Sequence, residues 1–286
     1  MMESKVQEFW QNNPCGAELV GDLNDQTRAE YESFFGRYDE YRYAKEGHIL
    51  RRLDAIDLTG KRVLEIGLGQ GADGEQLVRR GAIYSGVDLT EEATSRTRMR
   101  FTLKDLPFEQ IEQASALALP FDDGSFDIVF SHGVLHHIPE ISQAQREIAR
   151  VLKPGGRLVA MLYAKWSLNY LLSIAVVRRL GLAAIYAFGL RPGGIYDAHL
   201  ENVKNVGLAG YLSMNNFINV STDGPHNPYS KVYDVAEVER DFSDFEIVET
   251  RKEFMHAPPL PVSWMPLAGM LGWHLWVQMR PRRSSE

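Results

Sequence analysis

The segment Val63-Leu64-Glu65-Ile66-Gly67-Leu68-Gly69-Gln70-Gly71 runs as a short apolar strand straight into a glycine-rich turn, and Gly71 to Arg80 follows with helical spacing. Glycines at such a turn let the backbone approach a ligand closely, and the helix N-terminus behind them is electropositive. The same alternation continues downstream. Ile83 to Val87 reads as a second strand, Glu91 to Leu103 as a helix, Ile111 to Ala114 as a third strand, and Phe126 to Ser131 as a fourth, bounded by the turn Asp122-Asp123-Gly124. A helix over Ile141 to Leu152 carries Ile141, Ile148 and Leu152 on one face and stops at Lys153-Pro154-Gly155-Gly156, after which Arg157 to Tyr163 reads as a fifth strand. Strands alternating with helices of this length predict right-handed βαβ units, hence an α/β, doubly wound, mostly parallel sheet.

Three regions lie outside the repeat. Residues 1–57 read as a helical N-terminal extension, ahead of a core over 58–163. Residues 164–243 are too long for a single crossover and are expected to form an insertion between strands 5 and 6. Within 244–286, Phe245 to Thr250 and Gly272 to Met279 read as a strand pair, joined through Pro258, Pro259 and Pro261, that completes the sheet as a long hairpin. The tail Arg282 to Glu286 is expected to fray.

The formal net charge of −7 works against a phosphate backbone, so nucleic acid is not the expected partner. The single cysteine, Cys15, cannot form an intramolecular disulfide, and no Cys/His set has the spacing of a structural zinc site. With no secretory pattern at the N-terminus, a cytoplasmic location is the expectation. The most apolar stretch, Trp166 to Leu190, carries Arg178 and Arg179 in its middle and Gly181 after them; it reads as buried or lid helices, with weak membrane-surface contact as the alternative. The sequence is silent on oligomeric state.

The glycine loop is not built for a pyrophosphate, because the third glycine of a G-x-G-x-x-G pattern comes one residue early, at Gly71, and no phosphate-binding lysine follows. Asp88 closes the second strand roughly 20 residues after Gly67, where a carboxylate accepts from both hydroxyls of a bound ribose. An acid favouring the next helix dipole is the plainer alternative. Glu65 lies inside an apolar strand, where an unpaired carboxylate is costly, so it is expected to hydrogen-bond loop amides or a ligand ammonium.

Residues Glu65 to Gly71 resemble the first motif of class I S-adenosylmethionine-dependent methyltransferases. Three later segments agree with that family: Leu119-Pro120-Phe121-Asp122-Asp123-Gly124-Ser125-Phe126-Asp127-Ile128-Val129, then Val134-Leu135-His136-His137-Ile138-Pro139, then Val151 to Leu158. The resemblance spans about Leu58 to Tyr163. It implies a Rossmann-like sheet of seven strands with the last antiparallel, and S-adenosylmethionine as the cofactor. In that picture Gly67, Gly69 and Gly71 cradle its methionine part, Glu65 orders that region, Asp88 holds the ribose and Leu89 packs on the adenine. Ser131 and His132 border the methyl group, and Ser115, with Ala116 beside it, stands where many relatives carry an acid that accepts from the adenine amino group. Serine makes that bond more weakly than a carboxylate.

Methyl transfer to carbon-bound oxygen or nitrogen reduces to alignment, exclusion of water and removal of the acceptor's proton. His132, His136 and His137 are the candidate bases, with His136 favoured by its family position; packed or capping histidines are the plainer reading of each. His132 and His136 are not expected to share a metal, since His132 belongs to a strand end and no carboxylate joins them. The segments Tyr41 to His48 and Thr222 to Tyr233 are dense in polar and aromatic groups; a structured loop is the plainer reading of the second, and the alternative is that both flank the acceptor as a lid, with Tyr43 and His48 facing the methyl group. The expected activity is methylation of oxygen or nitrogen on a small-molecule acceptor. A membrane-associated enzyme acting on a lipid or quinone, and a non-catalytic cofactor-binding protein, are the alternatives.

Overall fold

Strands that are apolar on both faces need cover on both, and the helices between them supply it. The computed structural model describes residues 2–16 and 27–282. Its parallel strands are β1 (Arg62–Ile66), β2 (Ile83–Asp88), β3 (Gln110–Gln113), β4 (Phe126–His132) and β5 (Leu152–Ala164). With β6 (Val232–Tyr233), β7 (Phe245–Glu253) and β8 (His274–Pro281), they form one sheet whose main path runs β3-β2-β1-β4-β5-β8-β7. Only β8 runs antiparallel to its neighbours. The path has the seven strands expected, and β6 is an addition: this two-residue strand lies in the insertion and pairs with the end of β5, Val232 opposite Tyr163.

Helices α1 (Met2–Asn12), α2 (Arg28–Lys45) and α3 (His48–Asp54) precede the sheet; α4 (Ala72–Arg79), α5 (Glu91–Leu103) and α6 (Ile141–Val151) connect its strands. Alternate residues of each strand face opposite sides. Leu64, Val129 and Leu158 pack with Ile141, Ala144, Ile148 and Val151 of α6. Their neighbours Val63, Phe130 and Val159 pack on the other side with Ile49, Leu53, Leu77 and Phe101 from α3, α4 and α5. Arg100 of α5 is wholly buried, paired with Asp39 at 2.7 Å and Glu75 at 2.8 Å, and its guanidinium lies over the Phe35 ring at 4.6 Å. A buried charge is tolerated only when paired this well, so Arg100 ties α2 to the core.

The fifth strand begins five residues earlier than the Pro-Gly-Gly signal suggests. Leu152 already pairs with Phe126, and a register shift between Phe126 and Ile128 absorbs the turn-like residues. The tail from 283 on lies outside the described residues.

The insertion contains a π-helix (Asn169–Arg178) running directly into α7 (Arg179–Ala187), then α8 (Ile195–Val206), α9 (Leu208–Tyr211), α10 (Met214–Thr222) and α11 (Val235–Asp241), while α12 (Ala268–Leu271) lies between β7 and β8. Ile174, Leu182, Leu200, Val203 and Phe217 build a core of their own around Trp273. The Trp166 to Leu190 stretch, expected from sequence as buried or lid helices, is helical and lies in the insertion, but it is buried only in part. Ile174 and Leu182 point inward and Arg178 donates to the carbonyls of Pro258 and Ser221, whereas Leu180 is 66% exposed and Phe188 78% exposed. Among the described residues this largely apolar helix is therefore covered on one side only.

Five histidines have side chains deep in this fold: His48, His132, His136, His137 and His274. Burial is the first cause that holds His48 down to about 4 and His132, His136 and His274 well below 6.5, and it holds His199 and His256 at about 4 as well. Because these folded-state values are depressed, their stabilising contribution is present above about pH 6.5, the unfolded value, and is lost as pH falls toward the folded values. Glu65, Glu46 and Asp88, raised first by burial, work in the opposite sense. The histidines outnumber them, so urea unfolding followed by circular dichroism should show stability falling between pH 6.5 and 5.5. A flat profile across that interval would contradict the burial of these rings.

Candidate active site

In an open α/β sheet, ligands bind outside the carboxyl ends of the strands, where the strand order reverses. Here that point lies between β1 and β4, and a cavity opens there with about 1210 Å³ of empty space counted to its mouth. Its wall includes Glu65, Gly67, Leu68, Gly69, Asp73, Asp88, Leu89, His132 and His137, with Glu3, Val6 and Trp10 of α1 and Tyr38 and Arg42 of α2 across from them.

The glycine turn is held open by its own geometry. Gly67 has φ +84°, and a Cβ added there would lie 2.1 Å from Val134 Cγ2, so only glycine fits. Asp88 braces the turn: its Oδ2 accepts from Leu68 N–H at 2.8 Å, and its Oδ1 accepts from Thr90 N–H at 2.9 Å and Oγ–H at 2.8 Å. Burial raises the Asp88 pKa while these donors work to lower it. Glu65 is paired with Tyr84, whose hydroxyl donates to its Oε2 at 2.5 Å; the expected loop amides are not its side-chain partners. Burial, then the nearby Asp73, pushes its carboxyl well above the usual range.

Asp73, which in sequence looks like a first-turn acid of α4, turns out to organise the far wall. Arg42 donates to both its oxygens, at 3.2 and 2.5 Å, and Tyr43 O–H donates to Oδ1 at 3.3 Å. Arg42 also reaches His132 Nδ1 at 3.2 Å. A guanidinium has only donors, so Nδ1 accepts and the proton of the neutral ring sits on Nε2. On the opposite side, Gln7 Nε2 donates to Leu89 O at 2.9 Å, and Ser115 Oγ–H donates to Glu3 Oε1. The carboxylate missing from position 115 thus arrives from α1.

The histidines behind β4 separate by role. His136, favoured in sequence, is 0% exposed and absent from the pocket wall; its ring packs on Tyr163 at 3.8 Å between centroids, with no hydrogen bond to either nitrogen among the described residues. The neighbouring His137 lines the pocket instead. Its Nδ1 lies 2.8 Å from Tyr229 O, which can only accept, so Nδ1 carries a proton and donates it there. That Nε2 is 3.5 Å from Asp223 Oδ2, and both atoms are buried without a hydrogen-bond partner among the described residues. Tyr163 O–H donates to the other Asp223 oxygen at 2.9 Å.

Tyr43 and His48 do not line the pocket wall: Tyr43 is tied to Asp73, and His48 Nε2 lies 3.0 Å from His274 Nδ1. Gly71 and Ser131 also stand back from it; Gly71 caps α4 at φ +71°, and Ser131 Oγ–H donates to Ile66 O at 3.0 Å. Gly67, Gly69, Asp88, Leu89, Ser115, Ala116 and His132 are in the wall.

A family model described as a methyltransferase domain matches residues 64–160. A ubiquinone biosynthesis O-methyltransferase of Azoarcus sp. (strain BH72) is 31% identical over 207 residues, covering 70% of this chain and 84% of the relative. The chain belongs to the class I S-adenosylmethionine-dependent methyltransferases. This methyltransferase is also 40% identical over 102 residues to a fatty-acid O-methyltransferase of Mycolicibacterium smegmatis, covering 35% of this chain and 36% of that one. Its fold is shared with magnesium protoporphyrin IX methyltransferase from Synechocystis PCC 6803, solved with bound SAH, at a TM-score of 0.55 and 14% identity over 99% of this chain and 100% of that one. The methyltransferase pocket fits S-adenosylmethionine by its own features: a glycine turn that a Cβ would fill, two wall carboxylates for an ammonium, and Asp88 at the strand end for hydroxyls.

Proposed function

We propose that the enzyme methylates a hydroxyl oxygen of an apolar small molecule, with His137 removing the hydroxyl proton. The observation that carries this is the buried pair of His137 Nε2 and Asp223 Oδ2, which lie 3.5 Å apart with no hydrogen-bond partner for either atom among the described residues, on a ring that lines the pocket. A hydroxyl entering from the pocket gives this pair a hydrogen-bonding partner. When bound, the cofactor supplies a methyl group on positively charged sulfur, already an activated donor. In that reaction His137 Nε2 would take up the acceptor's hydroxyl proton, and Asp223 would stabilise the imidazolium so formed. His132 is less suited to the task, because burial and the Arg42 charge hold its pKa well below 6.5. Apolar wall residues Val6, Trp10, Val134 and Ile138 exclude water and favour an apolar acceptor. The names of the relatives, which include ubiquinone and fatty-acid O-methyltransferases, agree with oxygen as the atom methylated.

For the cofactor, the same reading gives Asp88 the ribose, Glu65 and Asp73 the ammonium, and the Ser115–Glu3 pair the adenine amino edge. Glu3→Gln should weaken S-adenosylhomocysteine binding about fivefold in isothermal titration, since one charge-assisted bond becomes neutral. An unchanged affinity would remove Glu3 from the site.

The acceptor class is tested by incubating the enzyme with methyl-labelled S-adenosylmethionine and a panel of long-chain phenols, hydroxy acids and amines, then locating the label by mass spectrometry. Label on hydroxyl oxygen supports the reading; label only on amine nitrogen overturns it.

A second reading places the enzyme at a membrane surface. The continuous helix Asn169–Ala187, at 19 residues, is long and apolar enough to cross a membrane by length and composition, and its exposed Leu171, Leu172, Val176 and Leu180 have nothing over them among the described residues. Isolated exposed apolar residues are ordinary, but a contiguous set marks an interaction face. The protein should co-sediment with anionic liposomes, and Leu180→Glu with Leu172→Glu should reduce the bound fraction at least fivefold. Equal sedimentation with and without vesicles would dismiss this reading.

A further inference from the structure

We propose that His48, His132 and His274 form a binding site for a divalent transition-metal ion. The three come from the start of α3, the end of β4 and the start of β8, and one ring nitrogen of each lies within 4.8 Å of the other two. His48 Nε2 and His274 Nδ1 are 3.0 Å apart. Imidazole nitrogens bind zinc at about 2.0 to 2.1 Å, which separates neighbouring nitrogens of a tetrahedral site by roughly 3.4 Å. Two of the three ligands therefore already stand near coordination distance from each other, and the third needs only a modest ring movement.

His132 is prepared for that movement. Its Nε2 is buried with no hydrogen-bond partner among the described residues, and its Nδ1 lies 3.8 Å from Asp73 Oδ2. Metal-bound histidines commonly donate their other N–H to a carboxylate, which orients the ring and strengthens the ligand. Coordination through Nε2 transfers the ring proton to Nδ1, where Asp73 accepts it in place of the Arg42 contact. The proton now between His48 and His274 likewise moves to the outer nitrogen of its own ring, so coordination of three neutral imidazoles releases none. An imidazole with its ordinary pKa near 6.5 is already mostly neutral at pH 7, as a ligand must be. The Arg42 charge, 3.2 Å from His132 Nδ1, is neutralised by its bonds to Asp73.

The donor set selects the ion. Three imidazoles with no carboxylate ligand suit zinc, cobalt, nickel or copper and not magnesium or calcium, which require oxygen. Phe254 stacks on His48 at 5.5 Å and Trp276 lies 5.1 Å from His132, so aromatic rings flank the cluster, while Arg42 and Asp73 border it at His132 Nδ1. Of the three, His132 alone lines the methyltransferase pocket, and the metal is therefore bound behind that wall and is assigned no step in methyl transfer.

The test titrates the full chain, stripped with chelator, with Co²⁺ followed by its visible ligand-field bands. One equivalent should bind with the intense absorption of four- or five-coordinate cobalt, Zn²⁺ should displace it, and Mg²⁺ should not. His48→Gln/His274→Gln, confirmed folded by circular dichroism, should weaken Co²⁺ binding at least 100-fold, while His199→Gln in the insertion should leave it unchanged. The single variant His48→Gln, which keeps two ligands, should weaken it at least tenfold. No saturable cobalt binding, six-coordinate bands alone, or wild-type affinity in either His48 variant would overturn the proposal. None of these readouts depends on methyl transfer, so failure here leaves the proposed reaction standing, and failure of the reaction leaves this site standing.

Discussion

His137→Ala is expected to lower kcat for transfer to a hydroxyl acceptor by about 100- to 1,000-fold, the range that a positioned general base contributes. KM and the dissociation constant of the cofactor should stay within about threefold, because the ring contributes the lone pair on Nε2 rather than a binding contact to the cofactor. The geometry makes the effect specific to this histidine. Tyr229 O fixes the Nδ1 proton, Asp223 Oδ2 stands 3.5 Å from Nε2, and Tyr163 holds the carboxylate from its other side. Asp223→Asn should retain the hydrogen bond to Tyr163 and lose most of the charge stabilisation, placing its kcat between wild type and His137→Ala. His136→Gln serves as the contrast: removing that ring disturbs packing against Tyr163 and should lower thermal stability more than turnover. Parallel steady-state kinetics on the three variants checks the order, and a His137→Ala kcat within threefold of wild type would remove the base from this position.

Asp88→Ala should raise the dissociation constant for S-adenosylhomocysteine at least 100-fold. Two losses combine. The ribose hydroxyls lose a carboxylate acceptor, an interaction of roughly 1.5 to 3 kcal/mol for a charged hydrogen bond. The amides of Leu68 and Thr90 lose the acceptor that shapes the turn before any ligand arrives. Together they amount to about 3 kcal/mol, and 1.4 kcal/mol corresponds to tenfold. Asp88→Asn keeps one acceptor oxygen and should fall between the two, at about tenfold. Affinity within threefold of wild type in the alanine variant would mean that the ribose is held elsewhere.

The parallel sheet could be read almost residue by residue where hydrophobic period and turn chemistry agree. α5 has the expected limits because the Thr90 cap bounds its start, and β1 ends where expected because Gly67 follows it. The start of β5 could not, because Pro154, Gly155 and Gly156 signal a stop that pairing with β4 overrides through a register shift. Asp88, Gly67 and Gly69 were legible through strand-end position. His136 and His137 were not separable: they are neighbours in one short 3₁₀ turn (Leu135–His137), and only the insertion packed against it decides which ring meets the pocket. Glu3 and Asp73 carry no local signal of their roles, since each depends on a partner far along the chain, Ser115 and Arg42. The contact between His48 and His274 spans 226 residues, a separation at which spacing arguments have no purchase.

The account rests first on the cofactor occupying the cavity between β1 and β4, and isothermal titration of the full chain with S-adenosylmethionine and S-adenosylhomocysteine tests this most directly. Saturable one-to-one binding of both compounds, lost in Asp88→Ala, is the predicted result. A folded sample that binds neither compound, with or without a long-chain phenol present to complete the site, would contradict it.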